Sequence, residues 1–164
     1  MYLARVYLRQ EGEAEIDYRE IRALLELAEP VNPCGQLYAM LSSCCDQLGD
    51  AAAAMKYLKK LHKLAPDDAQ CCIALARNYA MGCGTRLDYE LALRYYQKAA
   101  NLGDSYGVFM VGLMYYEGCG VRRNYKRAVD FFFCVLWRAV SKSLCIITNW
   151  GQIRRFQIAI SRLH

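Results

Sequence analysis

Three prolines and two histidines are all this sequence has of either residue, and after Asp130 it has no carboxylate. Scarce proline leaves helices unbroken, because proline both removes a backbone N–H and clashes with the preceding turn. With apolar content at 55%, the chain reads as a helical globular protein rather than a disordered one. Two imidazoles, His62 and His164, complete no zinc spacing, and Cys44-Cys45 and Cys71-Cys72 are adjacent pairs rather than C-x-x-C. No metal and no cofactor are expected. There is no run of eighteen apolar residues, and the most apolar segment, 131–137, is followed by Arg138 and Lys142, so no transmembrane segment is expected. The opening MYLARVYLRQEGE lacks the apolar core and cleavage site of a signal peptide, which points to a soluble, cytoplasmic protein.

Motifs of catalysis are missing too. Gly82-x-Gly84 follows a helical pattern rather than a strand and has no Lys-Ser/Thr after it, so it is not a phosphate loop. No nucleophile elbow, H-E-x-x-H or paired-carboxylate constellation occurs. Cys71 or Cys72 with His62 could imitate a thiol–imidazole pair, but a repeat helix accounts for both cysteines more simply. No enzyme is expected.

What is present is unevenly charged. Residues 1–130 hold all sixteen carboxylates and sixteen of the twenty-one Lys and Arg, so the net charge of +5 sits entirely in Arg138, Lys142, Arg154, Arg155 and Arg162. Such a tail suits an anionic partner, or is a poorly matched end. Lys56, Lys59, Lys60 and Lys63 read as the solvated face of a helix, and nucleic acid is not an expected partner. Nine cysteines, an odd number, cannot all pair within a monomer. They read as small buried or turn thiols in a reducing compartment.

The sequence also repeats itself. Residues 73–100 and 109–136 match at an offset of thirty-six: Ala76 meets Gly112, Tyr79 meets Tyr115, and Gly82-Cys83-Gly84 meets Gly118-Cys119-Gly120. Tyr89, Ala92 and Tyr96 meet Tyr125, Ala128 and Phe132. A period of this size is the mark of stacked supersecondary units. Each unit reads as two antiparallel helices: the first stops at the Gly-x-Gly pair, and the second opens at an N-cap, Asp88 or Asn124. Ala92 and Ala128 allow close helix approach, and the aromatics fill the space between units. The expected fold is all-α, a right-handed αα-hairpin superhelix.

The string L-A-x-x-Y-x-x-G-x-G-x-x-x-D-Y-x-x-A-x-x-Y-Y-x-K-A-A-x-x-G-D over residues 75–104 resembles a Sel1-like repeat. The next copy matches over 111–132 and then departs, with Cys134, Val135, Leu136, Ala139 and Val140 replacing Lys98, Ala99, Ala100, Gly103 and Asp104. A degenerate first repeat occupies 1–34, with Leu3-Ala4-x-x-Tyr7 and Asp17-Tyr18, and Asp17 with Glu20 resembles a capping box. It is a cap, or the natural chain extends further upstream. Residues 35–68 resemble a tetratricopeptide repeat, whose turn is shorter: Leu41 to Ala54 spans thirteen residues where Leu75 to Ala92 spans seventeen. The remaining units are 69–104, 105–140 and a basic tail, 141–164. In the tail Ile153, Phe156, Ile160 and Leu163 recur at helical spacing with Arg154 and Arg155 on the other side. A capping helix, a basic membrane-surface helix and a tail altered by frameshift or splicing are its three readings.

The resemblance implies a non-enzymatic adaptor whose first helices present their free positions to a protein or peptide partner. Those positions are Arg5, Leu8 and Arg9, then Gln36, Ser43, Asp46 and Gln47, then Gln70, Ile73, Arg77 and Met81. Tyr106, Phe109, Leu113, Tyr116 and Glu117 complete them, unless Phe109 and Leu113 pack under the tail. Sel1-like proteins resemble one another as adaptors in signalling, membrane-protein quality control and bacterial virulence or secretion. Some cysteine-rich members are linked to penicillin binding, which makes a hydrolase or penicillin-binding activity one alternative, although the chain has no S-x-x-K. The other alternative is nucleic-acid or anionic-membrane binding through the basic tail.

Overall fold

The computed structural model describes residues 17–144, and among them are seven helices and no strand. They are α1 (Tyr18–Ala28), α2 (Gly35–Gln47), α3 (Ala51–Leu64), α4 (Ala69–Met81), α5 (Tyr89–Asn101), α6 (Ser105–Glu117) and α7 (Tyr125–Leu144). Each helix packs chiefly on its neighbours in sequence, which gives an all-α helical-repeat superhelix.

The helix starts are set by short polar side chains. Asp50, Asp68, Asp88 and Asp104 each accept a backbone N–H from the first turn of the helix that follows, and Asn124 accepts from Arg127 N–H at 3.0 Å. Replacing such a cap by alanine costs about 1 kcal/mol. Asp17 caps α1 as well, but it accepts from Arg19 N–H, one position earlier than the reciprocal box with Glu20 requires. The remainder of the first unit, residues 1–16, lies outside the described residues.

The two kinds of turn differ as their spacing suggests. Three residues, 48–50, join α2 to α3, whereas seven join α4 to α5 (82–88) and α6 to α7 (118–124). In both long turns the helix ends on a left-handed glycine, Gly82 (φ 70°) or Gly118 (φ 82°). The next amides, of Cys83 and Cys119, reach back to the Asn78 and Met114 carbonyls at 3.0 and 3.1 Å. Both turns then close identically, with Asp88 N–H on Tyr79 O at 2.9 Å and Asn124 N–H on Tyr115 O at 2.8 Å. Cys83 and Cys119 are equivalent because their backbones, not their thiols, do the same work.

The second glycine of each pair joins units together. A Cβ on Gly84 would stand 1.9 Å from the Ala51 carbonyl oxygen, and one on Gly120 would stand 2.4 Å from that of Tyr89. Each turn therefore rests against the opening of the preceding unit's second helix, where only a glycine fits. Side chains repeat as well: Tyr79 stacks on Tyr95 at 5.8 Å, and Tyr115 on Phe131 at 5.7 Å.

The core forms two adjoining clusters. The first is built on Ile21, Leu25, Leu41, Ala54, Leu58 and Leu75; the second is built on Ala76, Ala92, Tyr96, Val111 and Ala128. Ala92 and Ala128 have no exposed surface, as the close-packed seam requires. Lys60 departs from the solvated-face reading. Its ammonium pairs with Glu29 and lies 5.4 Å over the Tyr38 ring and 5.5 Å over that of Tyr57. Lys56, Lys59 and Lys63 are exposed.

Candidate functional site

The three first helices α2, α4 and α6 each run thirteen residues, and they share one register. The third, fourth, seventh and eighth positions are buried in all three. In α2 they are Leu37, Tyr38, Leu41 and Ser42; in α4, Cys71, Cys72, Leu75 and Ala76; in α6, Gly107, Val108, Val111 and Gly112. Cys71 and Cys72 thus sit where the other units place Leu37-Tyr38 and Gly107-Val108, which makes them core side chains.

The surface anticipated from sequence occupies the second, fifth, ninth, twelfth and thirteenth positions. Gln36, Ser43, Asp46 and Gln47 are exposed in α2, as are Gln70, Arg77 and Met81 in α4 and Tyr106, Phe109, Tyr116 and Glu117 in α6. Ile73 and Leu113 are half-buried. Arg5, Leu8 and Arg9 lie outside the described residues. Ala39 and Ala80 complete the register and were missed because a short side chain announces nothing; the repeat offset itself would have found them.

Contacts tie this face into a ladder. The Arg77 guanidinium, left free by the repeat pattern, reaches the Asp46 carboxylate of the preceding unit at 3.8 Å. Both side chains are largely exposed, so the pair is worth about 0.2–1 kcal/mol. Gln70 Nε2 donates to Asp104 Oδ2 at 3.0 Å, linking α4 to the cap of α6. Towards α6 the face turns aromatic. Tyr106 meets Tyr96 edge-on at 6.5 Å, Phe109 lies 5.6 Å from Phe132, and Tyr116 lies 5.4 Å from Tyr125.

The thiols and the imidazole are placed for packing. Burial pushes the Cys44, Cys45 and Cys72 thiols up, and the Cys71 thiol up to about 12, its Sγ donating to the Leu58 carbonyl at 3.6 Å. A protonated thiol is a poor nucleophile. His62 lies edge-on to Tyr95 at 5.4 Å, and burial, with Lys98 nearby, holds its imidazole below the ordinary value and hence neutral. Among the described residues no three of His, Cys, Asp and Glu gather as a metal site would need. No helix among them is long and apolar enough to cross a membrane.

The Sel1 repeat family model matches residues 69–104 and 105–133, the two units whose glycine turns and buried registers coincide. Residues 69–133 thus carry two Sel1 repeats. Over 81 residues the chain is 28% identical to a Sel1-like repeat-containing protein of Acanthamoeba polyphaga mimivirus, an alignment that takes in 46% of this chain and 14% of that protein. A Sel1 repeat protein from Oxalobacter formigenes superposes with a TM-score of 0.66 at 25% identity, covering 83% of this chain and 56% of that one. The cysteine rich protein B of Helicobacter pylori gives a TM-score of 0.52 at 27% identity, over 84% of this chain and 98% of that one. The chain therefore spans about a seventh of the curated relative it matches. Sel1-repeat proteins are in general protein-interaction scaffolds, and their helical-repeat neighbours are typically non-catalytic.

Proposed function

We propose that the chain as a whole is a Sel1-like repeat protein and a non-enzymatic adaptor that holds a peptide or protein partner along the exposed face of α2, α4 and α6. One observation carries the reading: the same five positions of three successive first helices are left to solvent or only half covered while the others pack. In αα-solenoids such faces line up on the inner side of the superhelix and make an extended binding surface. Amides, an exposed ion pair and aromatic rings suit an extended or helical peptide. The division into units 1–34, 35–68, 69–104 and 105–140 with a tail over 141–164 belongs to the same proposal, as does a cytoplasmic setting.

Neither alternative draws support from a particular observation. Penicillin binding or hydrolysis would need a reactive group, and the thiols of Cys44, Cys45, Cys71 and Cys72 in the first helices are buried and pushed up by burial. The basic tail's Arg154, Arg155 and Arg162 lie outside the described residues.

The test is an affinity comparison against a partner recovered with the purified chain. Arg77→Ala and Gln70→Ala are expected to weaken binding about tenfold, roughly 1.4 kcal/mol, with a modest salt dependence. Cys83→Ser should bind as the parent does. Should Arg77→Ala bind normally while Cys72→Ser or Cys83→Ser fails without unfolding, the face assignment is wrong and thiol chemistry must be reopened.

A further inference from the structure

The two core clusters meet across a pair of stacked rings. Tyr79 of α4 and Tyr95 of α5 each pack against both clusters, 5.8 Å apart and within 4° of parallel. The preceding helix, α3, clasps this stack at two points. Lys59 holds its ammonium 6.0 Å from the Tyr79 ring centre, and His62, nearly one turn on, lies edge-on to Tyr95 at 5.4 Å. The repeat does not require an imidazole there. Counted from the caps Asp50 and Asp88, His62 stands where α5 has Ala100, although the next joint has the same stack in Tyr115 on Phe131. Nor is the imidazole satisfied: its Nδ1 is sealed from solvent with no hydrogen-bond partner among the described residues. Buried polar atoms left in that state are uncommon and ask for an explanation.

We propose that His62 is an acid-sensitive latch between the helix pairs α2–α3 and α4–α5, closed while its ring is neutral and released when the ring takes up a proton. The surroundings accept a neutral ring and oppose a charged one. Lys98 of α5 faces it, and Lys59 of its own helix flanks the same stack. Asp67, from the connection after α3, is the carboxylate that faces it, but that side chain is 80% exposed and already pairs with Lys98 at 3.7 Å. Burial keeps the Tyr95 hydroxyl of α5 and the Cys71 and Cys72 thiols of α4 protonated, so none of them supplies a counter-charge. A protonated ring would make Nδ1 a donor without an acceptor and add a third cation beside Lys59 and Lys98. Burial, then Lys98, accordingly hold the closed ring below the ordinary value, about 6.5, to which an opened joint returns it. The open form therefore takes the proton more readily. Closure is at full strength above that ordinary value and is lost progressively as pH falls through it. Arg77 of α4 and Asp46 of α2 span the same joint at 3.8 Å, so release also parts the exposed faces of α2 and α4. The inference concerns the joint alone and needs no partner, so it stands or falls apart from the peptide-binding proposal.

The chain has two histidines, so His164→Gln leaves His62 as the single imidazole to follow. In that full-length chain, titration by NMR should give His62 a midpoint below that of a free histidine, and the ring signals of Tyr79 and Tyr95 should shift with it. His62→Phe keeps an edge-on ring that cannot take a proton. At about pH 5.5, amide exchange in α3 and α4 should be about threefold or more faster in the parent than in His62→Phe. At about pH 7.5 the two should exchange alike, and amides of α6 should not distinguish them at either pH. A His62 midpoint at or above that of free histidine overturns the proposal. So does acid-induced exchange that is spread evenly along the chain, or that His62→Phe does not relieve. The His164→Gln titration keeps His62 itself, so it decides the matter even where His62→Phe fails to fold.

Discussion

Ala92 and Ala128 are wholly buried where the two helices of a unit meet, so any added carbon must displace a neighbour. Ala92→Leu should cost roughly 1–3 kcal/mol by overpacking, against about 0.5 kcal/mol or less for exposed Lys63→Ala. Thermal denaturation decides between them, and equal melting temperatures would remove Ala92 from the seam. The glycine pair gives a sharper ranking. A side chain on Gly82 meets only ordinary contact at 3.5 Å, leaving the strain of its positive φ, about 1–3 kcal/mol. Gly84→Ala adds a collision with the Ala51 carbonyl, so it should melt well below Gly82→Ala; the reverse order would contradict the inter-unit contact. The seam alanines are legible in sequence because the offset aligns them. The role of Gly84 is not, because the atom it must avoid belongs to another unit. Arg77 is partly legible: its exposed position follows from the register, but its pairing with Asp46 depends on how far one unit turns against the next.

At the scale of elements, caps and turn lengths are the readable features. Asp88 and Asn124 start helices as expected, the aspartates at 50, 68 and 104 do the same without having been singled out, and the four extra residues between Leu75 and Ala92 appear as the longer turn. The length of α7 was not legible, because nothing local stops a helix where Gly103-Asp104 is replaced by Ala139-Val140. Nor was the network that fastens α1 to the next unit. Arg22 pairs with Glu26 at 2.8 Å and Asp50 at 3.0 Å, Tyr57 donates to Glu26 at 3.0 Å, and Glu29 takes Lys60 and Tyr38. The Arg22 guanidinium, followed by the Tyr57 hydroxyl, holds Glu26 below the ordinary carboxylate value despite burial; the Lys60 ammonium does the same for Glu29. A carboxylate held low contributes stability that is full above its unfolded value, about 4.3 for glutamate, and is lost as pH falls through the folded value. Solvent screens Glu26, which is 40% exposed, so the effect is small. Glu26→Gln should therefore melt lower than the parent at pH 6, with the gap closing towards pH 3. A gap constant across that range would show that the charge is not what holds α1.

At the scale of the molecule, the described residues from α2 onward form a run of helix pairs in which each first helix is committed on one side and open on the other. The sequence conveys this strongly from α4 onward, where the repeat is nearly complete, and faintly over 35–68, where the hydrophobic register persists without the glycine turn. It does not convey how the faces of successive helices join, since that depends on contacts such as Gln70 with Asp104. The most direct measurement is site-specific photo-crosslinking in the full chain to a bound partner. A benzophenone side chain is placed in turn at Gln36, Ser43 and Gln70 on the first helices, and at Lys56, Lys63 and Arg94 on the second, all exposed. The account predicts that the partner is captured from the first-helix sites and not from the second-helix sites. Capture confined to Lys56, Lys63 and Arg94 would contradict it and move the binding surface to the opposite side of the solenoid.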